Sequence, residues 1–287
     1  MGYLYALIAV FSFGTYMIPL KRWPSLSSWA YLALAAVGIL ASALVPAVYF
    51  GTMSLNLLGI FSGFFWVAGG ALCFWAVQEE AGLSGSGTRA VGTAILTSFL
   101  CAVLILREKT HLYLSLPAIL LILGGLYTLD PIRQNPLKNW RSFGAGIVFG
   151  TYLVPYQMRA PSSQEFMFSL SFGIFIAASV LFLFTVSIAR PKGKVSPLKH
   201  LTPGPVLGCL IAGIVWTVGQ QACLVALSRL GFAIGYPMTQ LNLLVSLFCG
   251  VVFFGEFPSV KMRIRLLCAS SLIVSGAFVL SFSRINV

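Results

Sequence analysis

Long apolar stretches, each near the length that crosses a bilayer as a helix, constrain this chain more than any other feature. We predict ten of them, near residues 2–20, 28–50, 56–78, 85–106, 111–129, 143–159, 166–189, 204–228, 231–255 and 264–283. Such runs satisfy their backbone inside a membrane only as helices, whereas a porin-like barrel needs short alternating segments. With 59% hydrophobic and 8% charged residues, the chain is expected to be an all-α, multi-pass membrane protein.

The chain contains an internal duplication. The segment Phe13–Pro19 returns almost unchanged at Phe149–Pro155, and Trp66 aligns with Trp216 in a second matching pair. Two small deletions then align Ser98 with Ser246 and Glu108 with Glu256. If each copy has five spans, the second copy is inverted in the membrane, which is typical of alternating-access transporters. We therefore predict two inverted five-helix repeats, residues 1–129 and 143–287, joined by a polar connector at residues 130–142.

The net charge of +12 raises the question of a nucleic-acid partner. The 18 Lys and Arg residues are scattered through short loops, and no basic run is dense enough to follow a phosphate backbone. They are more frequent after odd-numbered spans, which predicts that those loops are cytoplasmic. We expect membrane lipid and a small-molecule substrate as partners, and no nucleic acid, cofactor or metal.

Several short motifs resemble those of a known transporter group. They are Gly14–Lys21 with its Pro-x-Lys ending, Trp216, Gly219-Gln220-Gln221, Gly235–Asn242 and Gly255-Glu256. Together they resemble the glucose/ribose porter and rhamnose transporter group of the drug/metabolite transporter superfamily. This resemblance implies a secondary transporter with a central cavity between its halves, and a sugar as the commonest substrate. Small multidrug relatives carry a carboxylate in the first helix, where this chain has Thr15 and Tyr16, so proton-coupled export of cations loses support.

Polar and aromatic residues inside the apolar spans are the candidates for substrate binding, because burying them in a membrane is costly. We predict as substrate ligands Tyr16, Trp66, Arg89, Tyr152, Trp216, Gln220, Gln221, Thr239, Gln240 and Asn242. Amides, hydroxyls and aromatic faces suit a sugar, whose hydroxyls donate and accept hydrogen bonds. Two interpretations of Arg89 stay open: an ion pair with Glu79 or Glu80 near the membrane surface, or a substrate contact.

Gating residues are predicted from the duplicated prolines. Pro19 and Pro155 each remove a backbone N–H inside a span, so both are candidates for hinges or gates. Glu79 and Glu80 are the candidates for coupling to protons. Glu108 and Glu256 are interpreted mainly as ion pairs at helix ends, with a role in gating or coupling as the alternative.

The sequence favours a transporter over an enzyme. The chain has only six acids and two histidines and lacks the motifs of zinc proteases and hydrolases. We therefore predict an alternating-access secondary transporter of a small polar metabolite in a bacterial plasma membrane. The motifs above favour a monosaccharide, and proton coupling is left open. The alternative is an exporter or exchanger of an amino acid, nucleobase or ureide with the same fold.

Overall fold

The computed structural model describes residues 1–23, 25–79, 82–129, 140–159, 162–187, 202–254 and 259–283. Regular structure in these ranges consists of thirteen α-helices. They are α1 (Gly2–Thr15), α2 (Ile18–Arg22), α3 (Ser28–Tyr49), α4 (Leu57–Glu79), α5 (Gly82–Leu104), α6 (Leu112–Leu129), α7 (Trp140–Thr151), α8 (Val154–Arg159), α9 (Ser163–Ser187), α10 (Pro203–Leu230), α11 (Phe232–Thr239), α12 (Asn242–Phe254) and α13 (Val260–Ser281). The predicted all-α class is confirmed for this part of the chain, and most of the predicted connector lies outside it.

Five stretches of the described chain are long and apolar enough to cross a membrane. They are Gly2–Arg22, Ser28–Tyr49, Ser163–Ser187, Pro203–Leu230 and Phe232–Phe254. Four shorter apolar helices accompany them: Leu57–Cys73, Arg89–Leu104, Leu112–Thr128 and Leu267–Leu280. The chain is thus a helical membrane protein with several spans.

Three of the predicted spans are interrupted. The first breaks between α1 and α2, the sixth between α7 and α8, and the ninth between α11 and α12. Pro19 and Pro155 each occupy the second position of the helix that follows a break. Proline is tolerated there because the first turn of a helix has no partner for its N–H groups. The predicted bends at the two prolines are therefore helix restarts. The ninth span was predicted as one continuous helix, which was wrong, because it is interrupted after Thr239.

Helices pack closely where glycines remove side chains from the contact, as is common in membranes. A Cβ on Gly213 of α10 would lie 2.2 Å from the carbonyl oxygen of Ala35 in α3. A Cβ on Gly173 of α9 would lie 2.3 Å from the carbonyl oxygen of Ile60 in α4. Other extensive packing joins α1 with α10, α4 with α7, α5 with α7, α1 with α12, and α6 with α13. The packing of α1, α4, α5, α7, α10 and α12 encloses a central space between the first and second halves of the chain.

Candidate functional site

A cavity of about 150 Å³ lies between α1, α4, α5, α7, α10, α11 and α12. Two aromatic side chains from equivalent positions of the duplication meet in its wall. The ring centroids of Trp66 and Trp216 are 4.7 Å apart with an angle of 57° between the planes. Phe13 extends this aromatic wall, its ring centroid 6.2 Å from that of Trp216. The cavity therefore offers aromatic faces on which the C–H side of a ring-shaped molecule can pack.

Polar groups enter the wall from the broken ninth span. Gln240 lies in the break, and Asn242 and Ser246 follow on α12; all three line the cavity. The Ser246 hydroxyl donates to the carbonyl oxygen of Gly14 at 2.9 Å. That carbonyl lies just before the first break, so α12 also stabilises the interrupted end of α1.

Tyr152 and Gln220 form a buried pair beside the cavity. The Tyr152 hydroxyl donates to Gln220 Oε1 at 2.9 Å, and Gln220 has no exposed surface. Tyr152 lines the cavity, whereas Gln220 stands behind it. In this amide orientation, Gln220 Nε2 has no hydrogen-bond partner among the described atoms. Leaving buried amide donors without acceptors costs free energy. The Nε2 donors of Gln220 are therefore available for a hydrogen bond next to the cavity.

Tyrosine hydroxyls from neighbouring helices cap carbonyls that two of the breaks expose. The Tyr31 hydroxyl donates to the carbonyl oxygen of Tyr16 at 2.7 Å. The Tyr236 hydroxyl donates to the carbonyl oxygen of Phe149. Because an unpaired backbone carbonyl inside a membrane is unfavourable, these hydroxyls make the interrupted helices tolerable.

Three predicted ligands, besides Gln220, lie away from the cavity wall. Arg89 is only 7% exposed and belongs to the stripe of α5 whose Thr93 and Thr97 contact α7. Gln221 Nε2 donates to the Ser163 hydroxyl at 2.9 Å, facing α9. Thr239 is fully buried, and its hydroxyl donates to the carbonyl oxygen of Tyr236. Their roles as substrate ligands stay predictions that the geometry does not support.

The coupling and gating roles predicted for four residues stay predictions. Pro19 and Pro155 lie beside the breaks, as described above, and their role as gates stays a prediction. Glu80, Glu256 and the side chain of Glu79 lie outside the described part of the structure.

Sequence reasoning missed several residues of the cavity wall: Phe13, Met17, Lys21, Cys73, Phe149, Tyr236 and Cys249. Phe13 and Phe149 occupy equivalent positions of the duplicated segment, which was the available signal.

The cavity wall continues toward one end of the molecule. Lys21, in α2, and Phe254, the last residue of α12, both line it, with Lys21 Nζ 5.7 Å from the Phe254 ring centroid. We call this the Lys21 end. At the opposite end, the start of α1 packs on the end of α10, where Gly2 contacts Leu230. We call that the Glu108 end, after the acidic residue that lies there.

Comparison with known proteins decides the family. The model of the family described as "Sugar transport protein" matches residues 4–283. The chain belongs to the sugar transport protein family. A Bacillus anthracis relative named "Putative sugar uptake protein" is 26% identical over 298 residues, covering 99% of this chain and 100% of the relative. A Streptococcus pyogenes serotype M6 relative of the same name is 26% identical over 276 residues, 91% of each chain.

A solved crystal structure of another protein shows the same fold. Its TM-score is 0.70 at 16% identity, over 97% of this chain and 95% of that one. Together with the apolar helices, the sugar transport family identifies a multi-pass sugar transporter of the bacterial plasma membrane. Membership of this family points to a transporter rather than to an enzyme.

Proposed function

We propose that this member of the sugar transport family moves a neutral monosaccharide by alternating access and binds it in the cavity beside Trp66 and Trp216. The observation that carries the proposal is the aromatic pair, which lines the same cavity as the neutral polar residues Gln240 and Asn242. A pyranose has an apolar C–H face and a rim of hydroxyls, so it can use both kinds of surface.

We further propose that the two halves are inverted repeats with five spans each. In this arrangement α1 with α2, α7 with α8, and α11 with α12 each form one broken span. The pattern of packing supports the proposal, since α3 packs on α10 while its counterpart α9 packs on α4. Likewise α1 packs on α10 and its counterpart α7 on α4. Discontinuous helices at the centre of the membrane are where such transporters bind substrates.

The wider relationship is also a proposal. The Pro-x-Lys ending of the first span and the Gly219-Gln220-Gln221 cluster support placement in the drug/metabolite transporter superfamily, near the glucose/ribose porters and rhamnose transporters. Lys21 of this ending lines the cavity at the Lys21 end. The ending therefore contributes to the substrate pathway as well as to the break.

Another metabolite is the second candidate, because a nucleobase can also stack on the aromatic wall. It would not lie between Trp66 and Trp216, since these rings contact each other at 4.7 Å between centroids. An amino acid is less well matched. Its zwitterion needs a carboxylate as well as a cation, and among the described residues of the cavity wall Lys21 is the charged one.

Ligand stabilisation of the purified protein tests the proposal. We expect one neutral hexose, pentose or deoxyhexose to raise the melting temperature in detergent, since a ligand that binds the folded state stabilises it. Gln220→Ala should abolish this rise, and Gln221→Ala, the adjacent amide that faces α9, should preserve it. Stabilisation by nucleobases or amino acids alone would replace the sugar with the second candidate.

Proton coupling is a separate question for the same preparation. A protonophore added to energised vesicles should collapse accumulation if Glu79 or Glu80 couples transport to protons. Uptake that is unchanged by the protonophore would indicate facilitated diffusion and would exclude both acids from a role in proton coupling.

A further inference from the structure

Glu108 makes a contact that the prediction of an ion pair at a helix end did not anticipate. Its Oε1 accepts a hydrogen bond from the backbone N–H of Phe232 at 2.7 Å, and its Oε2 accepts one from Ala233 at 2.9 Å. These N–H groups are at the start of α11, the outer part of the broken ninth span. A carboxylate in this position satisfies two unpaired donors and interacts favourably with the positive end of the helix dipole.

Gly231, the residue before Phe232, packs closely against this carboxylate. Gly231 has a φ of +79°, a conformation that side-chain-bearing residues rarely adopt. A Cβ on Gly231 would lie 2.9 Å from Glu108 Oε2. Both the backbone angle and the close approach require glycine at position 231. The contact therefore depends on two separate segments of the chain, one with Glu108 and one with Gly231.

The contact joins the two halves of the molecule at one end. Glu108 follows α5 in the first half, whereas α11 belongs to the second half. α11 carries Tyr236, which lines the cavity and whose hydroxyl caps Phe149. The carboxylate therefore holds a wall of the cavity against the opposite half at the Glu108 end, away from Lys21 and Phe254.

A second cavity borders the carboxylate. It measures about 330 Å³ and is lined by Ile105, Leu106, Glu108, Gln157 and Met158. Its walls come from the first half on one side and from α8 of the second half on the other. A path that opened between the halves at this cavity would run beside Glu108. If α8 and α11 of the second half moved away from the first half together, the carboxylate would separate from α11.

We propose that Glu108 is a positioning residue that closes the Glu108 end of the transport pathway by holding α11 against the first half. This inference rests on the proposed alternating access. The contact is present when the central cavity extends toward the Lys21 end, and it breaks when the pathway opens at the other end. Glu108 touches no substrate in this mechanism and sets the balance between the two conformations.

The test uses transport measured from both ends, in right-side-out and inside-out vesicles. Glu108→Gln keeps one acceptor oxygen but turns an amide N–H toward a backbone donor, so the contact weakens. The KM for entry from the Glu108 end should fall and the KM from the Lys21 end should rise, each by up to roughly tenfold, since one charge-assisted hydrogen bond is lost. Gly231→Ala should shift both KM values in the same directions.

The matched control is Glu165→Gln, which removes an acid from the first turn of α9. Both KM values should stay at wild-type levels in this variant. Unchanged KM values in Glu108→Gln, or a rise at both ends together, would overturn the proposal, and a melting curve shows whether a variant is folded.

Labelling separates failure of this inference from failure of the sugar proposal. Cys249 lines the central cavity, so an impermeant maleimide applied from the Lys21 end should label a variant that keeps Cys249 as its one cysteine. Glu108→Gln in that background should slow the labelling. Slower labelling of a protein that transports no sugar would support the role of the Glu108 contact and contradict the proposed sugar substrate. Unchanged labelling would contradict the role of the Glu108 contact.

Discussion

Tyr16 and Tyr152 occupy the same position of the duplicated segment, yet they differ in what they contact. Both line the cavity beside a helix break. The Tyr152 hydroxyl is bonded to Gln220, whereas the Tyr16 hydroxyl has no hydrogen-bond partner among the described residues. The alignment explains the difference, because the counterpart of Gln220 in the first half is Gly70, which has no side chain.

This comparison teaches that the two halves share aromatic residues of the cavity, whereas the amide that bonds to one of them is present only in the second half. Trp66 and Trp216 stand at equivalent positions and contact each other, while the second half alone supplies Gln220. A sugar has no twofold symmetry, so an asymmetric set of polar groups can fix its orientation. We expect the first half to provide mainly packing and the second half mainly specificity.

Removing either tryptophan should give the largest effect. Trp66→Ala and Trp216→Ala should each destabilise the protein by about 3–5 kcal/mol, the usual cost of deleting a large buried aromatic side chain. Both should reduce sugar uptake to background, measured in vesicles beside melting temperatures in detergent. Trp75→Ala is the control, because Trp75 is 39% exposed on α4. A strong loss of sugar uptake in only one of these two variants would mean that only one tryptophan contributes to sugar binding.

The tyrosine pair should give the next largest contrast. Tyr152→Phe leaves Gln220 Oε1 buried without a partner, which should cost about 1–3 kcal/mol of stability. Tyr16→Phe removes a hydroxyl that faces the cavity, so it should weaken sugar binding with little change in melting temperature. Ligand-free melting curves of the two variants measure the contrast. Equal melting temperatures would show that the Tyr152–Gln220 bond does not distinguish the halves.

Removing the hydroxyls that cap the breaks should have smaller and similar effects in the two halves. Tyr31→Phe exposes the carbonyl of Tyr16, and Tyr236→Phe exposes that of Phe149. Each variant should lose about 1 kcal/mol, the typical net contribution of one hydrogen bond. Denaturation in detergent measures both. A loss in only one variant would show that only one break depends on its tyrosine.

The serine pair should give the smallest difference. Ser246→Ala removes a bond to Gly14 in the other half and should cost about 0.6 kcal/mol, the average for such bonds between membrane helices. Ser98 donates instead to Ile95 of its own helix, so Ser98→Ala should be nearly neutral. Thermal unfolding of both variants under identical conditions tests this. A larger loss from Ser98→Ala would reverse the comparison.

Part of the cavity could be predicted because the signals were local. The tryptophans, the two tyrosines, Gln240 and Asn242 stand out as polar or aromatic residues in apolar stretches, and all six line the cavity. Arg89 stands out equally but lies on the face of α5 that contacts α7. Periodicity shows which residues share a face of a helix, but it does not show which neighbour that face meets.

Helical periodicity also failed where a helix is interrupted. Thr239, Asn242 and Ser246 form one stripe on a continuous helix, yet the break after Thr239 leaves that residue buried and the other two in the cavity wall. Pro19 and Pro155 mark two of the breaks in the sequence. The break near Gln240 has no proline at the equivalent position, so sequence alone did not reveal it.

The sequence by itself determined that this protein is helical and lies in a membrane, and it predicts two related halves. Those conclusions follow from apolar length and from self-similarity, which are properties of the chain alone. The tertiary structure decided where the spans break, which polar groups reach the cavity, and that Glu108 holds α11. These features depend on the residues that helices far apart in sequence present to one another, because a buried carbonyl, amide or carboxylate needs a partner, and only packing brings that partner near.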